Sequence, residues 1–244
     1  MDRLALSDPP RELPPLPIRA WNAWRRRGGR YALHKGMRRA LGRWPGLKRR
    51  LVYADPRDYW TLRGGDEYFR EQEGQPGRSA RSEWLADRVA SYHPATILEI
   101  GCGYGKQLRA IRARIDADVT GLDFSPSQLA KGRDFLRGLD RVRLVLGSGT
   151  ALPFPDRSFD LVLTSAVILH NAPEDAERIR REVVRVSRRW TAHNEDTDVT
   201  YNRYGYDTAA WYRANGFHVV ETGPIPTDPN PAITQFCVAE PWRA

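Results

Sequence analysis

The chain has 244 residues, 28% charged and 41% apolar, with a formal net charge of +9. That length suits one large domain, or one domain with an appendage, and can bury a core without covalent staples. Cys102 and Cys237 lie far apart in apolar stretches, which excludes a disulfide framework or zinc spacing, and no run of about eighteen apolar residues argues for a membrane span. With no hydrophobic leader and cleavage site at the N-terminus, the expected location is cytoplasmic, with a peripheral membrane position as a variant.

The charge is uneven. Residues 1–60 carry a net +10 and the remainder a net −1, so an anionic partner is a question about the N-terminal segment alone. Residues 1–17 hold Pro9, Pro10, Pro14, Pro15 and Pro17, which predicts a disordered, non-helical lead. Residues 18–53 form a basic aromatic arm, with Met37, Leu41 and Trp44 at helical spacing between arginines and with Gly28-Gly29 and Pro45-Gly46 cutting it into pieces. Three readings of the arm compete: packing over the body, a surface helix on anionic lipid, or contact with RNA phosphates. Residues 54–81 are rich in aromatics and charges, including Tyr59 and Trp60, and residues 82–244 are the main domain. Within it a helix is expected over Ser82–Tyr92, with Leu85 and Val89 on one face.

The run Thr96 to Ile100 reads as a buried strand, and Gln107 to Ile115 as an amphipathic helix. Between them lies Glu99-x-Gly101-x-Gly103-x-Gly105. Glycines there let main chain approach a ligand closely, beside the unpaired N–H groups of a helix N-terminus. Lys106 is followed by Gln107, so a P-loop fails, and the glycine spacing is not G-x-G-x-x-G. An acid two residues before the first glycine suits a ligand carrying positive charge. A second strand, Asp118 to Asp123, ends in an acid placed to accept hydrogen bonds from both hydroxyls of a ribose. Ser125-Pro126-Ser127-Gln128 then caps the next helix.

The glycine motif resembles motif I of the class I S-adenosylmethionine-dependent methyltransferases. Leu152-Pro153-Phe154-x-x-x-Ser158-Phe159-Asp160 is similar to the loop before strand four of that family. The resemblance implies S-adenosyl-L-methionine as cofactor, held by Glu99, Gly101, Cys102, Gly103, Gly105, Asp123, Phe124, Ser148, Gly149 and Ser165. It departs from the family at Gly147-Ser148-Gly149, where an acid usually holds the adenine amino group; a neutral serine makes a weaker bond. It also implies that residues 54–81 form a lid.

Strands are further expected over Val142–Gly147, Asp160–Thr164, Trp190–His193, Phe217–Thr222 and Ile233–Ala239. Ala176, Ile179, Val183, Val186 and Trp190 are read as one helix face, and Tyr206-Asp207 opens the last helix, closed at Asn215-Gly216. The fold class is thus α/β: a doubly wound, seven-stranded, mainly parallel sheet with its last strand antiparallel, helices on both faces, and a basic N-terminal extension.

His170, just beyond strand four, is the candidate base, since imidazole titrates near working pH; the competing reading has it bonding main chain. A polar loop from His193 to Tyr206 follows strand five, and Tyr59, Trp60, His193, Tyr201, Arg203 and Tyr204 are the candidate acceptor contacts. No metal is called for. His170-Asn171-Ala172-Pro173 stands where methylation of an exocyclic base amine usually goes with Asn/Asp-Pro-Pro-Tyr/Phe, and neither cysteine is placed to attack a pyrimidine. The leading expectation is O- or N-methylation of a small polar acceptor such as a sugar, natural product or lipid-linked intermediate. The alternatives are an RNA methyltransferase using the arm, and a binding protein that kept the fold without turnover.

Overall fold

The computed structural model describes the backbone of residues 16–74 and 76–242; the side chains of 16–27 and 76–78 are left aside. The lead up to residue 15 lies outside the described residues. The chain divides into two compact units, Met1–Val52 and Tyr53–Ala244.

In the first unit, helix α1 spans Leu16–Ala40, so helix begins at Leu16 and includes Pro17, which the lead was expected to keep extended. Proline fits because the first turn leaves its N–H groups unpaired in any case. The helix is broken at Gly28, with φ +82° and ψ 166°. A 3-10 turn over Leu41–Arg43 leads to α2, Pro45–Val52. His34 Nε2 lies 3.2 Å from the Val52 carbonyl and ties α1 to the end of α2. Leu33, Trp44, Leu47 and Leu51 are exposed.

The second unit is a seven-stranded sheet of order β3-β2-β1-β4-β5-β7-β6. The strands are β1 Thr96–Ile100, β2 Asp118–Asp123, β3 Val142–Leu146, β4 Phe159–Ser165, β5 Ser187–Asp196, β6 His218–Gly223 and β7 Thr234–Glu240. Pairs β1–β2, β1–β4, β2–β3 and β4–β5 are parallel, while β7 runs antiparallel to both β5 and β6. The expected topology is therefore present, including the antiparallel last strand.

Helices α3 Pro56–Arg63, α4 Asp66–Glu73 and α5 Pro76–Ala90 precede the sheet; α6 Lys106–Arg112, α7 Pro126–Phe135, α8 Pro173–Val186 and α9 Thr208–Ala214 are interleaved with it. Local chemistry sets their starts. Asp55 accepts from the Arg57 and Asp58 amides before Pro56, Ser125 from the Gln128 amide before Pro126, and Asp207 from the Ala210 amide. One face of the sheet is covered by α5, α6 and α7, with Leu85, Val89, Leu108, Ile111 and Leu129 packed on Ile97, Val119, Leu161 and Leu163. The other is covered by α8 and α9, with Ile179 and Val183 on Leu98, Ile100 and Val162, and Tyr212 on Cys237 and Ala239. Each such side chain removed from water contributes about 1.5–3 kcal/mol.

Two further expectations are corrected. Trp190 does not belong to the α8 face: the helix stops at Val186, and Trp190 lies in β5 with its ring 5.5 Å from that of Tyr92. Strand five does not end at His193. It continues to Asp196 because β7 supplies pairing partners out to Thr234, which puts His193–Asp196 inside the sheet.

Candidate functional site

At the carboxyl edge of the sheet, β1 turns into α6 through Gly101, Gly103 and Gly105, with φ +68°, +56° and +86°. The turn is anchored to the neighbouring strand, since the Gly101 and Cys102 amides both donate to the Leu122 carbonyl at 2.7 and 3.1 Å. Asp123 completes the anchor: its Oδ2 accepts from the Gly103 amide and its Oδ1 from the Ser125 amide, each at 2.8 Å. Burial pushes the Asp123 carboxyl up, and these two amides hold it back. Each oxygen keeps a further lone pair, and the residue lines a cleft of about 630 Å³ counted to its open mouth.

The cleft runs across the tips of β2, β1 and β4. Gly101, Gly103, Asp123, Phe124, Ser125 and Gln128 line one side; Ser165, Val167, His170 and Asn171 line the other, and Arg57, Trp60 and Tyr68 come from the preceding helices. Gly101 has no room for a side chain on its far side, because a Cβ there would lie 2.5 Å from Val167 Cγ2. Ala166, between Ser165 and Val167, has φ +53°, an unusual backbone value for a residue other than glycine.

Two buried acceptors beside the turn have no partner among the described residues: Glu99 Oε2 and Gln128 Oε1. Burial, with the charge of Asp123, pushes Glu99 up to about 8. An unpaired buried carboxyl oxygen two residues before a glycine turn fits a ligand bearing a cationic ammonium or sulfonium, which would stabilise the ionised form. Bare backbone at Gly101 and Gly103, with Asp123 at the next strand tip, fits the adenosyl part. The residues present therefore fit S-adenosylmethionine.

Comparison with known proteins agrees with this geometry for the segment that carries the turn. Residues 97–189 match the family described as "Methyltransferase domain". The chain carries a class I S-adenosylmethionine-dependent methyltransferase domain. It is 35% identical over 97 residues to ajmaline N-methyltransferase of Rauvolfia serpentina, covering 38% of this chain and 33% of that protein. It is 30% identical over 167 residues to 24-methylenesterol C-methyltransferase 2 of Oryza sativa subsp. japonica, covering 65% and 43%. The chain thus spans less than half the length of these curated relatives. The fold is similar to that of the magnesium protoporphyrin IX methyltransferase of Synechocystis PCC 6803 with bound SAH, at TM-score 0.63 and 14% identity over 76% of this chain and 99% of that one.

In the methyltransferase domain, His170 sits on the cleft wall in a 3-10 turn over Ile168–His170. Its Nδ1 lies 2.6 Å from the Asn202 carbonyl, which can only accept, so Nδ1 carries the proton. Its backbone carbonyl accepts from the Tyr53 hydroxyl at 2.6 Å, and the Trp60 ring lies 4.8 Å from the imidazole. Burial pulls the ring down to about 4. The main-chain bond and the cleft position thus coexist.

The segment carrying His170 is held by Glu195, which the sequence reading left without a role. The Glu195 carboxylate accepts from the Thr164 hydroxyl at 2.8 Å and from the Val167, Ile168 and Leu169 amides at 3.1 to 3.3 Å. Burial raises its carboxyl, and these donors oppose the shift.

Other expected contacts lie elsewhere. The Cys102 side chain joins the core under the turn, and a Cβ at Gly105 would meet Leu136 Cδ1 at 2.5 Å, so Gly105 serves the packing of α6 against Leu136. Ser148 bonds Thr150 at 2.8 Å, and a Cβ at Gly149 would meet Ile100 at 2.9 Å; neither residue lines the cleft. His193 is fully buried in β5 between Thr164 and Tyr212, at 2.8 and 2.7 Å, and burial pulls it down to about 3. Tyr59 and Tyr201 share a 2.9 Å hydroxyl contact, Arg203 pairs with Asp196 and Asp198, and Tyr204 stacks on Tyr206. Of the six expected acceptor contacts, only Trp60 lines the cleft. Arg57 and Tyr68, a cation and an aromatic ring, also line the cleft and belong to no cofactor motif in the sequence. No group of three or more His, Cys, Asp or Glu able to hold a metal is found among the described residues.

Proposed function

We propose that the protein transfers a methyl group from S-adenosylmethionine to a small, largely planar acceptor presenting a hydroxyl or amine. The observation that carries this reading is the cleft itself, which puts the glycine turn and Asp123 at one end and His170 at the other. Bound there, the cofactor supplies an electrophilic methyl group on a sulfonium. Gly101, Gly103 and Asp123 would hold the adenosyl part, and Glu99 the cationic end. Trp60, Tyr68 and Val167 exclude water and offer flat apolar surface, which favours an aromatic or fused-ring acceptor over a sugar. His170, protonated at Nδ1, offers Nε2 as the acceptor of a proton leaving an oxygen or nitrogen. The relatives named an ajmaline N-methyltransferase and a 24-methylenesterol C-methyltransferase are both named for small organic acceptors, and the first supports an amine.

Calorimetry with S-adenosylhomocysteine tests the cofactor, and a screen with labelled methyl groups on planar phenols and amines tests the acceptor. Absence of S-adenosylhomocysteine binding would overturn the reading.

A second reading concerns the first unit. Its exposed Leu33, Trp44, Leu47 and Leu51 are interspersed with arginines and lysines, and Lys48 is lowered by burial and by the nearby Arg38 charge. Three exposed leucines among crowded cations favour an anionic lipid surface over RNA, for which aliphatic side chains do little. Sedimentation with vesicles of mixed neutral and anionic lipid should show binding that Trp44→Glu together with Leu51→Glu abolishes; equal binding by that variant would reject the reading.

A further inference from the structure

The guanidinium of Arg81, on α5, is a pure donor. Its Nε and Nη2 lie 2.9 and 2.6 Å from one atom, Oδ1 of Asn194. Its Nη1 donates to Asp196 at 2.8 Å and to Asp228 at 2.9 Å, so the fork is fixed from both sides. Since only an acceptor can face Arg81, the amide of Asn194 cannot be turned round. Its nitrogen therefore donates to Ser165 Oγ, at 2.8 Å. Ser165 thus accepts one bond, and its own hydrogen must go elsewhere. Among the described residues Ser165 makes no other side-chain hydrogen bond, and it lines the cleft.

Sheet order decides what it meets. β1 lies between β2 and β4, so a ligand with its ribose at Asp123 on β2 crosses Gly101 just beyond the end of β1 and brings its other end to the tip of β4. We propose that Arg81 acts at a distance as a positioning residue: through Asn194 it fixes Ser165 as a hydrogen-bond donor to the carboxylate at the amino-acid end of the bound cofactor. The inference rests on the proposed function, because it needs an adenosyl ligand in the cleft.

The test uses two probes on the full chain, S-adenosylhomocysteine and 5′-methylthioadenosine, which share the adenosine and thioether but differ in the amino-acid end. Asn194→Asp keeps both acceptor contacts to Arg81 but removes the donor, so the Ser165 hydroxyl turns back to the new carboxylate. This variant and Ser165→Ala should each bind S-adenosylhomocysteine about tenfold more weakly, the loss expected for one hydrogen bond to a charged group, and methylthioadenosine within about twofold of wild type. Arg81→Met should lose selectivity between the probes, and Arg81→Lys should recover part of it. If Asn194→Asp does not fold, Ser165→Ala and the Arg81 pair carry the test. Unchanged S-adenosylhomocysteine affinity, or equal losses for both probes, would overturn the proposal. Wild type binding neither probe would instead remove the proposed function.

Discussion

The imidazole of His170 donates through Nδ1 to the Asn202 carbonyl at 2.6 Å, which leaves Nε2 as the nitrogen able to take a proton. Burial favours the neutral ring, with its titration near pH 4. The methyl-transfer rate should therefore show no acid limb near pH 6.5 and begin to fall only towards pH 4. His170→Gln should lower turnover by about a hundredfold, a typical share for a positioned base, while S-adenosylhomocysteine affinity stays the same. A limb near 6.5 in the wild-type pH–rate profile would remove His170 from the proton-transfer role.

The same titration bears on stability. The folded value of His170 lies below the ordinary 6.5, so between about pH 6.5 and 4 the unfolded chain binds more protons and stability falls as pH drops. His193, pulled down to about 3, adds to the same slope. Urea titrations at pH 7 and pH 5 should show the loss, and His193→Gln should flatten it.

Glu99 works in the opposite direction. Its folded value of about 8 means that the empty site holds a proton at pH 7, and stability falls as pH rises from the ordinary carboxyl range through 8. A cation placed against Glu99 ionises it, so binding of S-adenosylhomocysteine at pH 7 should release close to one proton. Calorimetry in two buffers of different ionisation enthalpy measures that number. In Glu99→Gln the release should vanish, affinity should drop, and the ligand-free protein should be more stable at pH 8.

Gly101 is constrained twice, by φ +68° and by the 2.5 Å approach of a Cβ to Val167. Gly101→Ala should destabilise by about 1–3 kcal/mol from the backbone alone, with steric cost added. Adding Val167→Ala should restore the steric part and leave the backbone part, which chemical denaturation of the single and double variants resolves.

Glu195 receives four donors, so its removal strands buried N–H groups. Glu195→Ala should cost about 2–4 kcal/mol and lower turnover through misplacement of His170, with Glu195→Gln less harmful on both counts. Equal turnover in Glu195→Ala would show that the His170 segment holds its place unaided.

Much of the fold was legible in local signals: the apolar run before Gly101, the Ser125-Pro126 cap, the proline and acids that open α8, and Asp207 at the start of α9. The glycine-turn side of the cleft was legible for the same reason, since Gly101, Gly103 and Asp123 lie within a few residues of elements that announce themselves. The other side was not. The polar run from His193 to Asp196 looks like a loop until β7, some forty residues on, pairs with it and buries it. Arg81 and Asn194 are 113 residues apart in sequence and meet only in the folded sheet. Nor does Glu195 belong to a short motif; its role comes from a strand ending beneath amides that follow a different strand.

The antiparallel register of β7 against β5 sets Asn194 opposite Phe236, Glu195 opposite Gln235 and Asp196 opposite Thr234. The scaffolding behind the reaction chamber is thus clamped by a ribbon that joins the sheet last in chain order. Clipping the polypeptide before Thr234 would trim no idle tail: it would unseat the brace behind both Ser165 and His170, and leave the glycine-lined half of the chamber facing a slack wall.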